Sequence, residues 1–446
     1  MHANPPKKLF GTDGVRGVAG EFLTAELALA LGHAAAGRAP APRPQVVIVR
    51  DTRESGPMLE SALAAGIAQA GGDAFVAGVL PTPAASILVR RLGLDLAVVI
   101  SASHNPWHDN GIKFFGPDGR KLGDEDEGAI EADVAALLAD PPRGSVSERG
   151  IGRVRELEGA LDDYLRELTS AFHLDLAGKR IVLDCANGAT FRAAPAIFRR
   201  LGAEVEALAV EPDGRNINDG CGSTHPEPLA ARVREVEAVA GFAFDGDGDR
   251  VIAVDGRGRI RDGDELIALA AGHLREAGSL PGVAVTVMSN YGFHKAMRDA
   301  EIEVATTPVG DRNVSAELER RGWTLGGEQS GHLIWTDFAP TGDGIAAALL
   351  TLRALGETEL ADAEPMERLP QVLENVVVAR REAVAGAAGL WEAVESESAA
   401  LAGRGRVLVR PSGTEPLVRV MVEAPERGEA DEVCARLVAI VRAELG

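Results

Sequence analysis

Cysteine is scarce: Cys185, Cys221 and Cys434 are the three in 446 residues, far apart and in no C-x-x-C pair. That argues against a disulfide framework or a structural zinc site and fits a reducing compartment. No apolar run approaches the length of a bilayer span, and the start, Met1-His2-Ala3-Asn4-Pro5-Pro6-Lys7-Lys8, lacks the apolar core of a signal peptide. A cytoplasmic protein with no membrane partner is expected. Positive charge is also short, with 46 Lys plus Arg against 67 Asp plus Glu and a formal net charge of −21. Such a chain repels a nucleic-acid backbone, so an anionic small molecule would have to be captured locally, by arginines set among glycines. Neither G-x-x-x-x-G-K-[ST] nor a strand-borne G-x-G-x-x-G occurs. With no nucleotide site indicated, any phosphate arrives on the substrate.

What is present is an ordinary globular composition, 46% hydrophobic and 25% charged, in a chain long enough for three or four domains. Short β-branched runs alternate with Gly or Pro turns and Ala/Leu-rich stretches of helical period, which is an α/β rhythm. The first round, residues 1–150, has strands at Val46 to Val49, Ala74 to Val79 and Ala97 to Ile100 around a helix from Met58 to Ala70. A second, 151–255, has strands at Lys179 to Leu183, Val205 to Val210 and Val239 to Phe244 and a helix from Arg192 to Leu201. A third, 256–367, has helices at Asp264 to Ala277, Phe293 to Glu301 and Gly344 to Leu355 and a strand at Val283 to Met288. After Pro365 and Pro370 the pattern shifts, and residues 368–446 read as a smaller antiparallel α+β domain ending in a helix from Ala430 to Leu445. Self-similarity among the first three rounds is too faint to establish a repeat.

Four loops carry chemistry. In Phe244-Asp245-Gly246-Asp247-Gly248-Asp249-Arg250 three carboxylates at alternate positions can converge on a hard cation such as Mg²⁺, and like charges packed this tightly repel without one. An EF-hand is excluded because the twelfth loop position is Gly256. Three carboxylates leave such an ion short of oxygen ligands. Ser101-Ala102-Ser103-His104-Asn105-Pro106 follows a strand, where α/β sheets place their chemistry, and a phosphorylated serine would supply the missing anion; a turn with a serine cap is the alternative. Arg410-Pro411-Ser412-Gly413-Thr414-Glu415-Pro416, with Arg419 beyond, reads as a phosphate clamp or as a charged hairpin turn. Gly326-Gly327-Glu328-Gln329-Ser330-Gly331-His332 crowds groups that can read vicinal hydroxyls, though any exposed loop collects polar residues.

In this order the four loops resemble the α-D-phosphohexomutases. Further matching segments are Lys8-Leu9-Phe10-Gly11-Thr12-Asp13-Gly14-Val15-Arg16-Gly17, Arg50-Asp51-Thr52-Arg53, Gly310-Asp311-Arg312 and Thr341-Gly342-Asp343-Gly344. The resemblance implies four domains around a central cleft, three mixed-sheet α/β domains of similar topology and one smaller, each giving one loop. It implies that Ser103 is a phosphoserine and that Asp245, Asp247 and Asp249, with its phosphate, bind Mg²⁺. Glu328 and Ser330 would contact sugar hydroxyls, and Arg410, Ser412, Gly413, Thr414 and Arg419 would hold the phosphate that is not reacting. Thr12 and Arg16 belong to a supporting motif, and Lys113 and Arg250 are cations for the phosphoryl oxygens.

Within the family, Ser-Ala-Ser-His-Asn-Pro, the run Asp109 to Phe115 and Gln329 suggest the branch that moves phosphate between O6 and O1 of glucosamine through a hexose 1,6-bisphosphate. General acid and base would come from His332, Lys113 and His104. The family suggests a homodimer and leaves open whether a kinase or the bisphosphate first loads Ser103. Val49 and Trp107-His108 depart from common family wording, away from the chemistry. Competing expectations are a mutase of neutral hexose phosphates, a phosphoserine-type phosphatase and a non-catalytic sugar-phosphate binding protein.

Overall fold

The computed structural model describes residues 9–11, 13–140, 149–278, 280–379, 381–412 and 416–446. They divide into two compact units, residues 1–287 with 305–363, and residues 288–304 with 364–446.

The chain opens with β1 (Val15–Val18), α1 (Ala25–Arg38), β2 (Gln45–Arg50), α2 (Gly56–Gln69), β3 (Asp73–Val79), α3 (Thr82–Leu92), β4 (Leu96–Ile100), β5 (Asp109–Phe115), α4 (Asp124–Ala139) and β6 (Val154–Glu156). The strands form one sheet in the order β1-β5-β4-β2-β3-β6. Val46, Ile48, Val98 and Ile100 are buried against α1 and α2 side chains such as Leu31 and Leu63, as expected of strands whose apolar runs are covered on their faces. The sheet takes in residues beyond the expected boundary at 150, because Ala74–Val76 of β3 pairs in parallel with β6. Three exposed residues in β6 carry no hydrophobic pattern that would have shown it.

Next come α5 (Ala160–Ala171), β7 (Arg180–Asp184), α6 (Ala193–Arg200), β8 (Glu204–Leu208), α7 (Glu227–Glu235), β9 (Ala240–Phe244), β10 (Val251–Asp255) and β11 (Ile260–Arg261), with sheet order β11-β10-β9-β7-β8. They are followed by α8 (Gly263–Glu276), β12 (Gly282–Thr286), α9 (Tyr291–Asp299), β13 (Glu303–Thr307), α10 (Asp311–Arg321), β14 (Leu325–Gly327), β15 (Leu333–Trp335) and α11 (Gly344–Leu355), with sheet order β13-β12-β14-β15.

One pattern recurs in the three sheets. In each, one strand (β2, β7 or β12) has a parallel neighbour that turns back as an antiparallel strand. The turns are β4 to β5, β9 to β10 and β14 to β15. Each functional loop of the first three domains is this same turn, leaving the carboxyl end of a parallel strand, where open α/β sheets place ligands. The repeat that sequence similarity was too faint to establish is present as topology.

The second unit holds α9, β16 (Gln371–Val377), a 3₁₀ turn at Arg381–Gly386, α12 (Ala388–Ala400), β17 (Arg406–Pro411), β18 (Leu417–Glu423) and α13 (Arg427–Leu445). Its sheet, β16-β18-β17, is antiparallel, as the closely spaced strands suggested, and Val418, Val420, Leu437 and Val441 are buried in its core.

Candidate active site

Ser103 sits just beyond β4, 1% exposed, with φ +54°. That left-handed backbone is uncommon for a residue with a Cβ and turns the side chain out of line with the strand. Its hydroxyl donates to Asp245 Oδ2 at 2.5 Å. The loop is held from below by Arg53, fully buried, whose guanidinium uses all five donors. Nε donates to Asp51 Oδ2 (2.8 Å), Nη1 to the carbonyls of Pro106 and Asp109, and Nη2 to those of Ser103 (2.9 Å) and Asn105 (2.8 Å). Asp51 also accepts from Ser101 Oγ, which accepts the Ser103 N–H at 2.9 Å.

Asp245, Asp247 and Asp249 are buried, with carboxylate oxygens within 4.8 Å of one another. Asp247 Oδ1 and Asp249 Oδ1 are buried without a hydrogen-bond donor. Burial and then the charges of Asp249 and Asp247 hold Asp245 well above the usual carboxylate range. Buried oxygens lacking donors, in a triad where Asp245 resists ionising beside its neighbours, fit a divalent cation of the Mg²⁺ type.

Lys113, on β5, is 1% exposed. Its Nζ lies 2.9 Å from Asp247 Oδ2, 3.1 Å from Asp13 Oδ2 and 3.9 Å from Asp249 Oδ2. Burial opposes its charge, yet Asp13, Asp247 and Asp249 outweigh it and hold the ammonium protonated far above its ordinary range. Thr82 Oγ1 donates to Asp247 Oδ2 at 2.7 Å.

His332, the last residue of the Gly326-to-His332 loop, is 2% exposed, with Nδ1 3.6 Å from Asp249 Oδ1 and Nε2 3.8 Å from Asp311 Oδ2. Lys121 joins Asp311 to Asp13 through close ion pairs with both. The contacts close a circuit, Asp13, Lys113, Asp249, His332, Asp311, Lys121 and back, in which carboxylates alternate with two lysines and an imidazole drawn from three domains. His104 Nδ1 lies 3.4 Å from Ser103 Oγ, and burial together with Arg250 and Arg16 pushes it down to about 4. Arg16 donates to the Ala102 carbonyl at 3.4 Å and pairs with Asp13. The Arg250 backbone N–H donates to Asp245 Oδ1 at 3.2 Å, while its buried Nε has no hydrogen-bond acceptor.

Glu328 Oε1 accepts from Gly310 N–H at 3.1 Å, which ties the Gly310-Asp311-Arg312 segment to the loop between β14 and β15. Ser330 is exposed. Gln329 is engaged below the loop, its amide donating to Asp262 Oδ2 at 3.3 Å at the N-cap of α8. The Thr341-Gly342-Asp343-Gly344 segment is a prop. Gly344 N–H donates to Gly248 O at 3.0 Å, and a Cβ at Gly342 would meet the His332 ring.

Asp343 caps α11 through Ala346 N–H and accepts from Tyr164 Oη of α5 at 2.9 Å. Burial, opposed by those donors and aided by the Asp249 charge, lifts Asp343 from the ordinary 3.8 to about 6. The folded state therefore keeps its proton where the unfolded chain has lost it, so stability from this group is full below about pH 4 and lost as pH rises through 6. Asp343→Asn is expected to flatten that decline by on the order of 2–3 kcal/mol, checked by denaturant melts from pH 4 to 7.

In the second unit, Arg410 and Arg419 are directly opposite across β17 and β18. Burial and then the Arg419 charge lower the Arg410 pKa. Two guanidinium groups side by side on neighbouring strands suit the holding of an anion such as phosphate. Ser412 N–H donates to Leu417 O at 2.8 Å; Thr12, Gly413 and Thr414 lie outside the described residues.

The structure thus brings together Ser103, His104, Lys113, the three aspartates, Arg250 and His332. Sequence reasoning gave no site role to Arg53, Asp51, Asp13, Lys121 or Asp311; Arg50-Asp51-Thr52-Arg53 and Gly310-Asp311-Arg312 were visible only as matching wording.

Family profiles for phosphoglucomutase/phosphomannomutase match in chain order: alpha/beta/alpha domain I at residues 7–139, domain II at 162–258, domain III at 262–373 and the C-terminal domain at 373–440. Phosphoglucosamine mutase of Pelotomaculum thermopropionicum is 51% identical over 445 residues, covering 97% of this chain and 99% of that protein. Phosphoglucosamine mutase of Moorella thermoacetica is 51% identical over 439 residues, covering 96% and 98%. A phosphoglucomutase/phosphomannomutase family protein from Burkholderia thailandensis superposes with a TM-score of 0.82 at 24% identity, covering 98% of this chain and 97% of that one. N-acetylphosphoglucosamine mutase of Aspergillus fumigatus, solved with GlcNAc-6P and magnesium, gives 0.68 at 20% identity, covering 100% and 97%, a likeness of fold. As the motifs and now the full-length matches agree, the chain belongs to the phosphoglucomutase/phosphomannomutase family, the α-D-phosphohexomutases.

Proposed function

We propose that the chain is a phosphoglucosamine mutase that interconverts glucosamine 6-phosphate and glucosamine 1-phosphate, with Ser103 as the phosphoryl carrier. The observation that carries the reading is the buried Ser103 hydroxyl meeting the head of the aspartate triad beside Lys113. Asp245, Asp247 and Asp249 would hold Mg²⁺, which supplies Lewis-acid polarisation of a phosphoryl oxygen when bound.

In the first half-reaction the bond between Ser103 Oγ and phosphorus breaks as one forms from phosphorus to sugar O1, and the O1 proton passes to a group bordering the triad. The resulting 1,6-bisphosphate turns end for end. Ser103 Oγ then takes the phosphoryl from O6, and O6 regains a proton. Lys113, enclosed by three carboxylates, serves as a fixed charge facing the phosphoryl oxygens, and His332 and His104 are the imidazoles placed for proton movement. Glu328 and Ser330 are assigned to sugar hydroxyls, and Arg410, Ser412, Gly413, Thr414 and Arg419 to the phosphate not in transfer. Ser103 must be loaded before the first turnover, by the bisphosphate or a kinase. A cytoplasmic homodimer accords with this reading; among the described residues no helix is long and apolar enough to cross a membrane.

The test compares turnover of glucosamine, glucose and mannose 6-phosphates with Mg²⁺ and a hexose 1,6-bisphosphate. A kcat/KM at least about tenfold higher for the amino sugar is expected, a difference of about 1.4 kcal/mol in transition-state binding. Equal or better rates on the neutral sugars would overturn the substrate assignment, and steady phosphate release without isomerisation would identify a phosphatase.

A further inference from the structure

Asn218 lies in the second domain, in a segment outside all four loops. Its Nδ2 donates to Ser103 O at 2.9 Å and Asn105 O at 3.2 Å. These are the same two carbonyls that Arg53 Nη2 reaches from the first domain. Each oxygen thus accepts two donors, which fills both its lone pairs. Asn218 is itself fixed, with φ +59° and its backbone N–H donating to Ala186 O at 2.9 Å. Ala186 and Asn187 are likewise left-handed, and the Asn187 carbonyl receives Thr52 Oγ1 at 2.5 Å. The metal loop runs flush against this arrangement: a Cβ at Gly246 would fall 2.6 Å from Ser103 O and 2.8 Å from Asn218 Nδ2.

From this geometry we infer that Asn218, acting with Arg53 as a two-sided carbonyl clamp, is a positioning residue for phosphoryl transfer. The inference rests on the mutase reading above. The clamp does two things. It fixes the left-handed turn that aims Ser103 Oγ at Asp245, with one donor from each of the domains that supply the serine and the aspartates. It also keeps two carbonyl oxygens engaged with donors, so that their negative ends do not turn towards a phosphoryl group carried by Ser103. Asn218 touches no reacting atom, so its effect must pass through the orientation of Ser103.

The experiment uses the full chain with Mg²⁺, glucosamine 6-phosphate and saturating hexose 1,6-bisphosphate, and compares wild type with Asn218→Ala, Asn218→Asp and Asn218→Ser. Asn218→Ala is expected to lose about 10- to 100-fold in kcat with KM changed less than about threefold, because misorientation acts on the transfer step. Asn218→Asp, which turns a carboxylate on two carbonyls, should fall further. Asn218→Ser, which keeps a hydroxyl donor, should recover part of kcat, with all three melting within a few degrees of wild type. A kcat within twofold of wild type for Asn218→Ala, a loss confined to KM, or unfolding of all three variants at the assay temperature would overturn the inference. A wild-type chain inactive on glucosamine phosphates would instead overturn the reading beneath it.

Discussion

Ser103→Ala is expected to lower mutase turnover by at least about a thousandfold while leaving the fold in place. The substitution removes the hydroxyl's hydrogen bond to Asp245 Oδ2 and its longer contact with His104 Nδ1. It keeps the backbone bonds that shape the loop, from Ser103 N–H to Ser101 Oγ and from Arg53 and Asn218 to the Ser103 carbonyl. Alanine meets the same left-handed backbone as serine, so no new strain enters. The check is intact-mass and peptide analysis after incubation with a hexose 1,6-bisphosphate, alongside a thermal melt. Wild type should carry one phosphate on Ser103 and the variant none. Phosphate taken up at another residue, with turnover preserved, would sink the assignment.

The second large effect is expected at Lys113. Its ammonium is the cation that touches Asp13 and Asp247 and approaches Asp249 in a space closed to water. Lys113→Met would keep the length of the side chain and remove the charge, taking its cation from the buried Asp247 carboxylate while Asp13 keeps Arg16 and Lys121. Breaking a buried pair from one side costs about 3–5 kcal/mol. Denaturant midpoints should fall accordingly, and turnover should drop at least about a hundredfold, as for loss of a group facing developing charge. Unchanged stability together with lost turnover would mean that the carboxylates find another partner and that Lys113 acts only in the reaction.

Much of this was legible in the sequence because the signals were local. The Asp245, Asp247 and Asp249 spacing compresses three like charges into five residues, and that spacing alone calls for a cation. Strands β2, β4, β7 and β9 read as short apolar runs because both their faces are covered. What escaped was long-range or polar. Arg53 holds carbonyls up to 56 residues away, and a buried arginine in a turn looks like a solvated one until its acceptors are known. Lys121 and Asp311 are 190 residues apart, with no periodicity linking them. Gln329 was legible as a marker of the family branch, but that its amide is engaged at the cap of α8 was not. The shared strand pattern of the first three domains came from the family resemblance and not from self-similarity in the chain, because backbone pairing leaves no residue-level trace when the side chains have diverged.

Asp13, Lys113 and Lys121 belong to the first domain, Asp249 to the second, and Asp311 and His332 to the third. No one of these domains can therefore be exchanged alone. A chimaera that borrowed its first domain from a relative with neutral residues at 113 and 121 would leave Asp249 and Asp311 to share His332, and is expected to be less stable however well its strands paired. A substitution at any of these six positions is therefore expected to be felt in all three domains.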